Sequence, residues 1–397
     1  MVLAERIQQV AASPTLGLDA KAKALKASGV DIISFGVGEP DFDTPAHVKA
    51  AGIKAIENNF TRYTAVEGIP ELRNAIVEKF ARDNQLTYTP DQIVVNCGGK
   101  HTIYNLAQVL FQAGDEVIIP APYWVSYPPM VVLTGATPVI IPTLESSGFK
   151  VTAAELSRAI TSKTKAIILN SPSNPTGAVY THSELEALAE VLLKNDIWII
   201  SDDIYEKIIF DGMKFFNIAN IHEELKPRTI IAHGVAKTYA MTGWRIGYMA
   251  APKEIAAAVA KLQSQSTSNP CSISQKAAVA ALSGPQDSVD VMVSAFDQRR
   301  RYLVENLNRI EGVHCLTPGG AFYVFPNVSA YYGRTLNDRK INSSTDLSDY
   351  LLEEAKIAVV PGSAFGDDSC VRLSYAISME DNQRGLQRMA EALGRLR

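Results

Sequence analysis

Short apolar runs alternating with amphipathic helical patterns predict an α/β protein. The expected large domain has a mostly parallel seven-stranded sheet flanked by helices, and a smaller α+β domain follows it. Two observations carry this. Seven short runs, at 93–95, 116–119, 138–141, 166–169, 197–200, 229–232 and 246–250, are apolar on both faces, as strands covered on both sides require. Past residue 250 the pattern lengthens into helices, and the strands that return are few and short.

Taken in order, residues 19–28 read as a helix, in an N-terminal segment with two Pro- and Gly-rich loops. Gly68 to Pro70 precede a helix at 71–84, whose Leu72, Ile76 and Phe80 recur at four-residue spacing. The run at 93–95 ends in Asn96-Cys97-Gly98-Gly99 and leads into a helix at 100–111, giving strand, glycine turn and helix. In 183–194, Leu185, Leu188, Ala189 and Leu192 share one helical face. Helices are expected at 253–268, 274–282 and 288–310, with Ser283-Gly284-Pro285 breaking the pattern near a domain boundary. Strands at 322–325, 358–360 and 371–374 and helices at 345–356 and 380–396 complete the smaller domain. The divisions are an N-terminal segment 1–45, a large domain 46–290 and a small domain 291–397.

The composition narrows the function. Over 397 residues, 38 basic against 42 acidic side chains leave a net charge of −4 with no basic block, which argues against nucleic acid as a partner. Apolar stretches such as 255–260 fall short of the roughly 18 residues that span a bilayer. Glu5 and Arg6 interrupt the N-terminus before any secretory apolar run, so a cytoplasmic location is expected. Cys97, Cys271, Cys315 and Cys370 lie far apart and are expected to be buried, inert thiols. The six histidines show no metal-ligand spacing, so no metal site is expected.

In an open α/β sheet, ligands bind beyond the carboxyl ends of the strands, and here those positions are polar. Gly98 and Gly99 open a helix whose N-terminus offers amides to an anion, or they form a plain turn. Asp202 stands at the mouth of a buried strand, where an acid needs a cation or donors, unless it caps a helix. Lys237 follows Val235 and Ala236, so it is either a solvated loop lysine or a desolvated amine of the kind that forms Schiff bases.

Together these strings resemble the class I and II aminotransferases of pyridoxal-phosphate fold type I, and bacterial aspartate aminotransferases most of all. The resembling segments are Gly38-Glu39-Pro40-Asp41-Phe42-Asp43-Thr44-Pro45, Arg62-Tyr63-Thr64 with Gly68 to Arg73, Asn170 to Gly177 and Ser201 to Tyr205. They continue through Ala236-Lys237-Thr238 with Gly243 to Tyr248, Pro318 to Tyr323 and Val371 to Ser374, covering nearly the whole chain. The resemblance implies pyridoxal 5'-phosphate as cofactor, with Lys237 as its Schiff-base lysine and the carrier of the substrate Cα proton. Asp202 would keep the pyridine nitrogen protonated, Tyr205 and Asn174 would bond the ring oxygen, and Trp124 would stack on the ring. Gly99, Lys100 and Arg245 would hold the phosphate, with Tyr63 reaching it from a neighbouring subunit in a homodimer with shared sites. Arg372 would grip the substrate α-carboxylate under Gly38, and the N-terminal segment would pack on the small domain and the partner.

Two departures concern detail. Gly234 and Val235 stand where many relatives carry a phosphate-binding serine. Lys100, Ser13 and Thr15 occupy positions that, in the bacterial branch, read a second substrate carboxylate. The implied reaction is transfer of the amino group of L-aspartate to 2-oxoglutarate by a ping-pong mechanism. The alternatives are enzymes of the same family for prephenate, an aromatic amino acid or alanine, and a non-catalytic cofactor-binding regulator, which would be expected to lack Lys237 or Asp202. Ala11 and Ala12 replace a lysine associated with prephenate use.

Overall fold

The computed structural model of the chain describes residues 3–12 and 14–397. It opens with α1 (Glu5–Gln8), α2 (Pro14–Ala27) and β1 (Ile33–Ser34). Helix α2 starts at Pro14 rather than 19, because proline has the fixed φ of a helix and loses no bond in the first turn. Helix α3 (Ala46–Glu57) has no counterpart in the sequence expectations: its buried face is Val48, Gly52 and Ala55, too small to give a strong period. Helix α4 (Pro70–Asn84) buries Leu72, Ile76 and Phe80 as their spacing predicts.

The central sheet is built from β2 (Ile93–Asn96), α5 (Gly99–Leu110), β3 (Glu116–Ala121), α6 (Tyr127–Val132), β4 (Thr137–Pro142), α7 (Ala153–Ala159), β5 (Thr164–Asn170), α8 (His182–Leu192), β6 (Trp198–Asp202), β7 (Thr229–Gly234) and β8 (Gly247–Ala250). Its strand order is β2-β8-β7-β6-β5-β3-β4. The pairings are parallel except at β8, which runs antiparallel to both neighbours. The stretch between β7 and β8 holds only one 3-10 turn, so no crossover helix returns the chain for parallel pairing. Alternate residues serve opposite faces: Ile167 and Ile199 pack under α7 and α8, while Ile168 and Ile200 pack with α5. Helix α8 starts at a capping box in which Thr181 and Glu184 satisfy each other's amides.

Three helices follow, α9 (Lys253–Ser264), α10 (Ser272–Ser283) and α11 (Asp287–Leu307). Helix α9 ends at Ser264 instead of 268: the Ser264 hydroxyl bonds the Lys261 carbonyl and the amides of Ser266 and Ser268 fold back on Gln263. Helix α11 passes through the expected boundary, adding Val289 to the cluster around α4 and α10 and Met292, Phe296 and Leu303 to the C-terminal core. The C-terminal part contains β9 (Tyr323–Val324), the hairpin β10 (Thr335–Leu336) and β11 (Arg339–Lys340), α12 (Ser344–Tyr350), β12 (Ile357–Ala358), β13 (Val360–Pro361), β14 (Val371–Ser374) and α13 (Met379–Gly394). The strand expected at 358–360 is thus two strands. One pairs with β1 through Ile33↔Ile357, tying the N-terminal segment to this part, and the other pairs with β14.

Cys315 and Cys370 are buried as expected, but Cys97 is half-buried and Cys271 is exposed. Cys271 occupies the residue before α10, where the chain turns at the surface. Among the described residues no helix is long and apolar enough to cross a membrane.

Candidate active site

The carboxyl ends of β2, β5, β6 and β7 open onto a cavity of about 420 Å³, which α2, the 36–39 strap and β14 close from the C-terminal side. Gly38, Gly99, Lys100, Trp124, Asn174, Asp202, Tyr205, Lys237, Arg245, Arg372 and Thr15 all line it. Tyr63 does not: it is 92% exposed on the loop after α3. Ser13 lies outside the described residues.

Asp202 ends β6 and is buried. Its carboxylate accepts from the Tyr127 hydroxyl at 2.6 Å and from the Ile204 amide at 3.3 Å, and no helix follows for it to cap. Burial raises its pKa to about 6, although the Tyr127 bond opposes the shift. Among the described residues no cation forms an ion pair with it. An acid in that condition suits a ligand carrying an N–H⁺.

Lys237 lies just past β7, and its Nζ donates to the Gly38 carbonyl at 2.5 Å. Burial pulls its pKa down to about 8, with the Glu39 charge opposing, so far more of it is neutral and nucleophilic near neutral pH than of an ordinary lysine. Tyr205 is buried, with its hydroxyl 2.7 Å from that of Tyr323.

Between β2 and α5, Gly98 takes φ 92°, and a Cβ there would strike the Arg245 guanidinium. A Cβ on Gly247 would overlap the Gly98–Gly99 backbone. These glycines therefore let a guanidinium, a bare backbone and the N-terminus of α5 meet at one cavity wall, an arrangement suited to a phosphate. Gly234 is also tight, since a Cβ would lie 3.0 Å from the Ile246 carbonyl, and Val235 is buried in the core with no hydroxyl to offer, so neither position supplies the serine's contact.

Arg372, on β14, is 3% exposed. It donates from Nη1 to Asn174 Oδ1 at 3.0 Å and from Nη2 to the Gly36 carbonyl at 2.8 Å, while Nε is buried without a hydrogen-bond partner. Among the described residues no carboxylate pairs with it. Lys100 Nζ stands 5.0 Å from the centre of the Trp124 ring. Partial burial and then the Arg245 charge lower its pKa, although the residue as a whole is exposed.

The structure adds wall residues to which the sequence gave no role: Glu39, which accepts from Thr242 Oγ1 at 2.6 Å, Lys23, Tyr127 and Tyr323. Tyr127 had a local signal, three residues after Trp124 and just behind a strand end. Tyr323 had none beyond its place in a glycine-rich string, because its partners are distant in the chain.

An amine of lowered pKa, a buried acid without a cation and a glycine-lined anion cradle define the class first: an enzyme acting on amines through a phosphorylated carbonyl cofactor. Comparison then supplies the family. The chain belongs to the class I and II aminotransferases, whose family model matches residues 30–389. It is 50% identical over the full length of both chains to the probable aspartate/prephenate aminotransferase of Rickettsia bellii. The aspartate aminotransferase structure from Rhizobium meliloti superposes with a TM-score of 0.96 at 46% identity, covering all of both chains. That of the Thermus thermophilus enzyme with maleate gives 0.93 at 41%, covering 99% of this chain and 100% of the other. The protein is a pyridoxal-phosphate-dependent aminotransferase. The cavity's donor set fits that cofactor: an amine for its aldehyde, an acid for its ring nitrogen and a cradle for its phosphate.

Proposed function

We propose that the protein is a cytoplasmic, homodimeric aspartate aminotransferase, moving the amino group of L-aspartate to 2-oxoglutarate to form oxaloacetate and L-glutamate in two half-reactions. Arg372 carries this reading: a buried guanidinium with neutral partners and an unused Nε requires an anion from outside, and a carboxylate matches its fork. Lys100, on the same cavity, offers a second cation for the side-chain carboxylate, with Thr15 assisting; Ser13, outside the described residues, is expected to join them from the sequence alone. The maleate held by the Thermus relative is likewise a dicarboxylate.

When bound, pyridoxal 5'-phosphate supplies an electron-withdrawing ring that takes up the electrons left when the α-proton departs. Lys237 would hold it through Nζ, and the same Nζ, once free, would accept the proton that leaves the substrate Cα and give it up again. Asp202 would hold the proton on the ring nitrogen. Tyr205 and Asn174 would orient the ring oxygen and Trp124 would offer its face. The Gly99 and Lys100 amides with Arg245 would hold the phosphate, and Tyr63, exposed in the single chain, would reach the phosphate of a second copy. Gly38 crosses the substrate gripped by Arg372. The part comprising 291–397, with segment 1–45 attached, closes on 46–290 and excludes water.

The test is the visible absorption of the purified holoenzyme on adding amino acids. L-Aspartate is expected to bleach the band at concentrations at least about tenfold below those needed for L-phenylalanine or L-alanine. A better response to either of those would refute the role of Lys100, and no band after reconstitution would refute the assignment of the whole site. Prephenate is the second acceptor to assay, because the Rickettsia relative carries it in its name. Ala11 and Ala12 lead us to expect slower turnover with it.

A further inference from the structure

We infer that Tyr323 is a positioning residue that joins the two halves of the site, its hydroxyl holding Tyr205 as a donor towards the cavity and its ring holding the Arg372 guanidinium. The inference rests on the roles proposed above for Tyr205 and Arg372.

Tyr323 starts β9 and is 1% exposed, at the cavity wall. Strand β9 pairs with β14 through Tyr323↔Ser374, which places Arg372, two residues before Ser374, on the same face as that pair. The Arg372 guanidinium lies 4.6 Å from the centre of the Tyr323 ring and 5.0 Å from that of Phe365. Its remaining neighbours, Asn174 Oδ1 and the Gly36 carbonyl, are uncharged, so the two rings supply the rest of its seat.

The hydroxyl does different work. Each phenol owns one hydrogen, and the 2.7 Å Tyr205–Tyr323 bond uses one of the two. If Tyr205 donates, it has nothing left to give a ligand; if Tyr323 donates, the Tyr205 hydrogen stays available to the cavity. Burial raises both phenols and the Arg372 charge draws both back, while Asp202 pushes Tyr205 further up. The role proposed for Tyr205 sets the direction: to keep its hydrogen for the cavity it must accept across the 2.7 Å contact, so Tyr323 donates. Gly38 packs on this hydroxyl: a Cβ there would stand 3.1 Å from it, which leaves little space for a water to take over the bond.

Ring and hydroxyl can be separated in the holoenzyme. One readout is the pH midpoint of the cofactor's visible band, and the other is the dissociation constant of unreactive maleate by spectral titration. A Tyr205 donor that has lost its incoming hydrogen bond stabilises less negative charge on the ring oxygen, so the protonated form persists to higher pH. Tyr323→Phe should raise the midpoint by about 0.5–1 pH unit with maleate binding changed less than about twofold. Tyr323→Leu should show the same rise plus a roughly 3- to 30-fold loss of maleate affinity. In a Tyr205→Phe background, Tyr323→Phe should add no further shift. An unchanged midpoint in Tyr323→Phe, or an equal shift in both backgrounds, would overturn the inference. Failure of Tyr205→Phe alone to move the midpoint would instead sink the role proposed for Tyr205, and this inference with it.

Discussion

Asp202 and Glu206 are two of the three buried acids at the end of β6 and just past it, and they have opposite surroundings. Glu206 meets the Lys79 ammonium directly, accepts from Asn84 Nδ2 at 2.8 Å and lies 3.4 Å from His233 Nε2. Asp202 has a tyrosine hydroxyl and one amide. Burial would raise both. At Glu206, Lys79 and His233 outweigh it and hold the carboxyl well below its usual range, whereas at Asp202 burial wins and the pKa rises to about 6. The cations divide the same way: Lys79 has its acid, while Lys237 and Arg372 have none in contact among the described residues. A charge neutralised inside the protein acts as scaffold, and one left uncompensated beside a cavity is set for a ligand.

The largest effects should come from the uncompensated side. Lys237→Ala is expected to lower turnover by more than about a thousandfold, because the nucleophile and the proton carrier proposed for the reaction are lost together. The cofactor-free chain should remain folded, since a desolvated amine has been removed; a cofactor-free variant that unfolds would place Lys237 with the scaffold. On the compensated side, Lys79→Met leaves Glu206 buried without its cation and should cost about 3–5 kcal/mol in denaturant unfolding. Lys79→Met with Glu206→Gln should recover most of that, and equal stability of the single variant and wild type would erase the contrast. Arg372→Leu should weaken maleate binding roughly 10- to 100-fold, the loss of a charge-assisted carboxylate contact, without a comparable fall in stability.

The smallest effect is on pH dependence. Asp202 has a folded pKa of about 6 against an ordinary value of 3.8, so its contribution to stability is fully present below the unfolded value and is lost as pH rises through 6. Cofactor-free wild type should therefore lose stability relative to Asp202→Asn between these values, by at most about 1.4 kcal/mol per pH unit. A parallel pair of stability curves would show that Asp202 is compensated after all.

Much of this was legible locally. The seven apolar runs became the seven strands of the central sheet, and Gly98-Gly99 became a strand-to-helix turn. The misses have physical causes. Helix α3 hid because small residues face its partners, the strand at 358–360 split because its halves found different sheets, and α2 began early at a proline. Ten of the predicted side chains or glycines beyond Thr15 line one cavity, while Tyr127 and Tyr323, which support two of them, had no assigned role.

By itself the sequence determined the α/β alternation, the polar strand ends and the residue types available there, because periodicity and turn chemistry are properties of neighbouring residues. Only the tertiary structure decided which of those groups are paired. Arg372 and Asn174 meet across 198 positions of chain, and Lys79 reaches Glu206 from a different helix, contacts that no local pattern specifies. Desolvation and Coulomb terms depend on distance and burial, so the packing made Glu206 scaffold and left Asp202, Lys237 and Arg372 for a ligand.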